Sequence, residues 1–307
     1  MRVAFMGTPD FAVPCLQKLI DLDYQVTGVF TQPDKPKGRH GILTPPPVKE
    51  LALKYDIPVY QPTKMKDGTA LEMVKEADPE VIIVVAYGKI LPKEILEYPK
   101  YGCINMHASL LPKLRGAAPI QWSILNGFKK TGVTAMQMDE GLDTGDMLLT
   151  SEIEITENMN AEELHDALSQ MGADLMAETI TAAVEGKLNP IKQNHDEFTY
   201  ASMLSKELSP IDWSKSAQEI HNHIRGLYGW PCATAKLSGK TVKIHQSIMC
   251  DGKGSKPGEI VCKDKKLVVA CGDGKCIEII TLQAENKKAM SASDYLRGNP
   301  ITAECFE

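Results

Sequence analysis

The stretch EVIIVVA, Glu80 to Ala86, decides how this chain must fold. Its five consecutive β-branched residues favour extended backbone, and no polar residue alternates with them to face water. A strand of this texture is buried on both faces, which is the habit of parallel sheets covered by helices. RVAFM (Arg2–Met6), QVTGVF (Gln25–Phe30) and GCINM (Gly102–Met106) read the same way. Amphipathic segments separate them. Thr8-Pro9 and Thr44-Pro45 each set a good N-cap residue before a Pro suited to the first helical turn. The segment after Thr44, PPPVKELALKY, then puts Val48, Leu51 and Ala52 on one face. The expected class is α/β: a doubly wound, mainly parallel, Rossmann-like sheet.

Further along, a long helix is expected from about Asn160 to Val184, striped by Leu164, Leu168, Met171, Leu175, Ile180 and Val184. The next twenty-odd residues show little periodicity and read as a connector ending near Pro210. Beyond it, the helix candidate SAQEIHNHIRGLY precedes short strands separated by turn signals. The last of these, CGDGKC between LVVA and IEII, is a hairpin with Asp-Gly at its tip. Short strands over about a hundred residues predict a small, OB-like β-barrel. The organisation expected is an α/β domain over 1–188, a linker over 189–209 and a barrel domain over 210–307.

Of the 307 residues, 43% are hydrophobic and 24% charged, a balance that suits a soluble globular protein. The longest strongly apolar run, Val81 to Ala86, is too short to span a bilayer. MRVAF leads directly into MGTPD without a long apolar h-region, so no membrane partner and a cytoplasmic location are expected. Eight cysteines without a CxxC fit reduced thiols in that compartment. The net charge of −6 excludes a wholly basic surface, but it is unevenly spread. Residues 210–307 hold 14 Lys and Arg against 11 Asp and Glu, a balance of +3, whereas the remainder is at −9. A polyanionic partner can therefore dock on the C-terminal third.

The turn after the first strand, MGTPDFAVP, has only Gly7 where a dinucleotide site would show GxGxxG. A nicotinamide cofactor is thus disfavoured, and Gly7 is read as permitting a tight turn. In GCINMHASLLPKLRGAAPIQW, Asn105 and His107 stand two apart and share one side of a strand. They fall at its carboxyl end, where open α/β sheets bind ligands. A second strand candidate, GVTAMQM, runs into DEGLDTGDM and delivers Asp143 at a Gly-rich loop.

No Ser stands in a nucleophile elbow and no Cys beside the His, so covalent acyl transfer is disfavoured. One His, one Asn and one Asp make a thin metal site, and no metal is expected. The three suit direct attack of an amine on a carbonyl. Asn105 can donate an N–H to the developing oxyanion; His107 can donate a second or move a proton. Asp143 can orient the imidazole or take the amine's proton through water. The same residues equally suit a turn cap, a satisfied histidine and a loop support. Arg115 reads as a cation near the site or a surface ion-pair partner. His221 and His223 do not face each other on a helix and read as surface or packing residues.

INMHASLLPKLRGAAPIQW and GVTAMQMDEGLDTGDML resemble the folate-dependent formyltransferase family. The resemblance runs nearly end to end, through MGTPDFAVP, VFTQPDKPKGR, VVAYGKILP, IDWSKSAQEIHNHIRG and KKAMSASDYL. It implies that Asn105, His107 and Asp143 are the catalytic trio, and that Ser109, Leu110, Leu111 and Pro112 contact the folate. The loop QPDKPKGRHGIL, the C-terminal domain and the late segment point to the tRNA branch. That branch uses 10-formyltetrahydrofolate as co-substrate and formylates methionine on initiator tRNA. Its tRNA-contacting insertion corresponds here to Lys35, Lys37 and above all Arg39. The alternatives are a formyltransferase for a nucleotide-linked amino sugar and a non-catalytic RNA-binding protein. Nothing in the sequence demands more than a monomer.

Overall fold

The computed structural model describes residues 1–37, 41–252 and 254–307. The chain forms two compact units. The first comprises Met1–Gly116, Thr131–Ile153 and His165–Tyr200; the second comprises Ala117–Lys130, Glu154–Leu164 and Ala201–Glu307.

The first unit is built on strands β1 (Arg2–Gly7), β2 (Gln25–Phe30), a hairpin of β3 (Lys35–Lys37) with β4 (Ile42–Thr44), β5 (Val59–Tyr60), β6 (Val81–Val85) and β7 (Cys103–His107). After β8 (Arg115–Gly116) come β9 (Lys130–Gln137), β10 (Met147–Glu154) and β11 (Tyr200–Ala201), which ladders with β8. Seven of them form one sheet in the order β10-β9-β7-β6-β1-β2-β5. The pairs from β5 to β7 are parallel, and β9 joins β7 antiparallel. All five residues of β6 are buried, as a strand without polar alternation requires. The chain runs outward from β1 to β2 and β5, then crosses back to β6 and β7. That order creates a switch point beside the carboxyl ends of β1 and β6.

Helices α1 (Val13–Asp21), α2 (Pro47–Lys54), α3 (Thr69–Ala77) and α4 (Lys93–Leu96) connect these strands. Two helix starts differ from expectation. After Thr8 the chain makes a 3-10 turn over Asp10–Ala12, and α1 begins only at Val13. The Thr8 hydroxyl donates to the Tyr87 carbonyl and accepts the Gln32 N–H, each at 3.2 Å, so it ties strand ends together and caps nothing. Likewise α2 starts at Pro47, and the Thr44 hydroxyl donates to the Ile42 carbonyl. Gly7 is needed for space and not for a turn: a Cβ there would lie 2.7 Å from Phe5 Cε1 and 3.0 Å from the Val85 carbonyl oxygen.

The second unit holds α5 (Pro119–Leu125). Helix α6 (Ala161–Val184) belongs to the first unit from His165 on, and Asn160 opens it with a reciprocal cap: its Oδ1 accepts from Glu162 and Glu163 N–H, and Glu163 Oε2 accepts from Asn160 N–H. Helix α7 (Ala217–Gly226) begins with a capping box of Ser216 and Glu219. Strands β12 (Ala233–Leu237), β13 (Lys240–Cys250), β14 (Ile260–Cys262), β15 (Leu267–Ala270), β16 (Cys276–Ala284) and β17 (Met290–Ser291) follow, then α8 (Ala292–Gly298). They make one antiparallel sheet, β12-β13-β16-β15-β14, with β17 also on β16.

This curled sheet is a half-barrel whose free edges are β12 and β14. The C-terminal tail bridges them. Ile260 N–H donates to the Glu304 carbonyl at 2.7 Å and Phe306 N–H to Gly258 at 2.8 Å, while Glu307 and Lys236 exchange both backbone bonds. Phe306 packs on Trp213 with ring centroids 5.3 Å apart, inside a core of Ile220, Ile224, Val242, Ile244, Leu267, Ile279 and Leu282. The hairpin between β15 and β16 turns at Asp273-Gly274, with Gly274 at φ 77°. All eight cysteines are free thiols, and no helix among the described residues is long and apolar enough to cross a membrane.

Candidate active site

Asn105 and His107 lie on β7, between Val84 of β6 and the Met136–Thr134 stretch of β9. Asn105 is half-buried, and none of the described residues hydrogen-bonds its side chain. His107 is buried. Its Nε2 lies 2.9 Å from the Leu114 carbonyl, which can only accept, so Nε2 carries a proton. Nδ1 then faces Asp143 Oδ2 at 3.6 Å.

The chain between 108 and 116 supplies the supports. Leu114 sits at φ 59° and donates its N–H to Thr199 Oγ1 at 2.9 Å, which aims its carbonyl at the imidazole. Gly116 N–H donates to Asp143 Oδ2 at 2.8 Å, so one carboxylate oxygen serves both the backbone and the imidazole side. Asp143 is itself in the left-handed region, at φ 53°. Gly145 follows where a Cβ would stand 1.7 Å from the Gln137 carbonyl oxygen, leaving room for no other residue. The structure thus brings His107 and Asp143 together, with Asn105 one strand repeat away.

The Ser109–Pro112 segment is held by Thr134, which is fully buried on β9. The Thr134 hydroxyl donates to the Ser109 carbonyl at 2.7 Å and accepts Leu111 N–H at 3.2 Å. Ser109 Oγ donates to the Lys113 carbonyl at 2.6 Å. Those polar atoms are therefore occupied in shaping the loop; Leu110 and Pro112 are half-buried beside them. Thr134 gave no signal in the sequence, because a Thr in a strand is ordinary.

Arg115 is not a surface ion-pair partner. It is buried, its Nε and Nη2 donate to Gln193 Oε1 at 3.0 and 2.6 Å, and its guanidinium lies 5.2 Å from the Phe198 ring centroid. Gln193, within a stretch read as a connector, is buried as well and donates to the carbonyls of Asp143 and Gly145 at 2.9 and 2.7 Å.

In the basic loop, Lys35 is exposed on β3 and donates to Gln32 Oε1 at 3.0 Å. Lys37 ends β3, and Arg39 lies outside the described residues. The base of the hairpin is pinned by Asp34, which takes hydrogen bonds from Gln61 and Lys49 that hold its carboxyl below the usual carboxylate range. His221 and His223 are packing residues. His221 bonds Ser247 Oγ and the Glu157 carbonyl, and His223 the Ser209 carbonyl. Burial pushes both imidazoles below their ordinary pKa.

Residues 1–180 match the family model "Formyl transferase" and residues 203–300 match "Formyl transferase, C-terminal domain". The chain is 51% identical over 302 residues to a methionyl-tRNA formyltransferase of Clostridioides difficile (strain 630), covering 98% of each. It is 48% identical over 304 residues to one of Bacillus licheniformis, covering 98% of this chain and 96% of the relative. Among solved structures it resembles WlaRD, a sugar 3N-formyl transferase, with a TM-score of 0.71 at 21% identity over 94% of this chain and 99% of the other. HypX from Aquifex aeolicus in complex with tetrahydrofolic acid aligns with a TM-score of 0.64 at 17% identity, over 96% of this chain and 47% of that one. These two share the fold. The chain belongs to the formyltransferase family and, within it, to the methionyl-tRNA formyltransferases.

Proposed function

We propose that this protein moves the formyl group of 10-formyltetrahydrofolate onto the α-amino group of methionine carried by initiator tRNA. The observation that carries the chemistry is the pairing of His107 with Asp143 on the strand end that also carries the Asn105 amide, which none of the described residues hydrogen-bonds. The amine nitrogen attacks the formyl carbon, the C–N bond forms, and the carbonyl oxygen becomes an oxyanion that the Asn105 N–H stabilises. Collapse breaks the bond to N10 of the folate, and that nitrogen leaves with the proton that the His107–Asp143 pair takes from the amine. The proton released by the amine passes to the His107–Asp143 pair. His107 suits this role better than that of a second oxyanion donor, because Nε2 already donates to Leu114 and Nδ1 faces Asp143. N10 is a weakly basic aryl amine and a competent leaving group. Positioning of donor and amine therefore supplies much of the rate.

On this reading Ser109 to Pro112 lie against the folate, and Lys35, Lys37 and Arg39 contact the tRNA. Residues 1–188 form the catalytic domain, 189–209 the linker and 210–307 the tRNA-binding domain, in a cytoplasmic monomer. The +3 balance of residues 210–307 supports a polyanion there. The relatives at 48–51% identity favour tRNA over the amino sugar of the more distant structures. Transfer of labelled formyl to methionylated initiator tRNA, with methionylated elongator tRNA as control, tests this. Label on the initiator alone is expected. Label on a nucleotide-linked amino sugar and on neither tRNA would overturn the substrate while keeping the chemistry.

A further inference from the structure

Arg115 is a buried cation, and among the described residues no carboxylate is its hydrogen-bond partner. Its Nη1 and Nη2 lie 3.4 Å from His195 Nδ1, and its strong contacts are the two to Gln193 Oε1. A buried charge is retained at a cost unless its surroundings use it. Gln193 shows the use. Its Oε1 accepts twice from the guanidinium, and its Nε2 gives both hydrogens to the carbonyls of Asp143 and Gly145. All four hydrogen-bonding positions of that amide are filled. The cation at one end polarises the amide and strengthens the donors at the other.

The recipient is the turn that carries Asp143. Asp143 holds φ 53°, a left-handed conformation uncommon outside glycine, asparagine and aspartate. Gln193 grips the backbone on both sides of that turn while Gly116 N–H grips the carboxylate. We propose that Gln193, backed by Arg115, is a positioning residue that sets the Asp143 turn so that Oδ2 faces His107 Nδ1. The proposal rests on the reading of Asp143 as part of the catalytic trio.

Gln193→Glu separates positioning from packing. The carboxylate keeps the size and can still pair with Arg115, but it has no N–H for the Asp143 and Gly145 carbonyls. The expected result is a kcat lower by roughly 10- to 100-fold, with KM for both substrates within about two-fold; the thermal midpoint falls as well, because two carbonyls lose their donor. Added to Asp143→Asn, it should lower the rate little further, because it acts through Asp143. Gln193→Asn, one methylene shorter, cannot reach Arg115 and both carbonyls together and should lose rate likewise. A wild-type kcat in whichever of these folds, or a fully multiplicative loss in the double variant, overturns the proposal. If Asp143→Asn alone keeps the wild-type rate, the trio reading fails. If it is slow while Gln193→Glu is normal, only the positioning fails.

Discussion

The carbonyl of Leu114 accepts the Nε2 proton of His107 at 2.9 Å, and this one bond decides which imidazole nitrogen faces Asp143. A histidine buried at a strand end would otherwise be free to choose its tautomer. With Nε2 committed, Nδ1 is the only nitrogen left to exchange a proton with the carboxylate. His107→Gln retains a polar side chain but no proton exchange, and should lower kcat by about 10²- to 10⁴-fold. Steady-state rates with saturating folate and tRNA check it.

Thr134 bridges the Ser109 carbonyl and Leu111 N–H from a fully buried position. Thr134→Val keeps the shape and strands both groups, at a cost of about 2 kcal/mol. Urea denaturation should show that loss, and KM for the formyl donor should rise more than KM for the tRNA.

Phe306 closes the half-barrel over Trp213 and is 4% exposed. Phe306→Ala should cost about 3 kcal/mol. Trp213 fluorescence during denaturation should report it as a lower midpoint for the second unit.

His221 and His223 are held neutral by burial, with folded pKa values below the ordinary 6.5. The unfolded chain therefore binds more protons between the folded value and 6.5, so stability rises with pH across that window. The thermal midpoint should fall as pH drops from 7.5 towards 5.5. His221→Gln should flatten that slope.

Much of this was legible in the sequence where local pattern and burial agree. The uninterrupted EVIIVVA strand, the helix within SAQEIHNHIRGLY and the Asp273-Gly274 hairpin all follow from neighbouring residues. That Asn105 and His107 share one side at the end of β7 followed from strand periodicity, and the pairing of β9 with β7 brings Asp143 to His107. What failed had two causes, a distant partner or a competing local bond. Thr8 and Thr44 look like caps locally, but Thr8 finds Tyr87 and Gln32, and Thr44 turns back to Ile42. Arg115 and Gln193 are 78 residues apart, and nothing in a polar connector marks the Gln that will meet a buried Arg.

The most direct test of the central claim is the single-turnover rate of formyl transfer by Asn105→Ala, measured alongside its affinity for methionylated initiator tRNA. Loss of one oxyanion donor predicts a rate lower by about 10²- to 10³-fold with tRNA affinity unchanged. A wild-type rate would contradict the assignment of Asn105 to the reacting carbonyl.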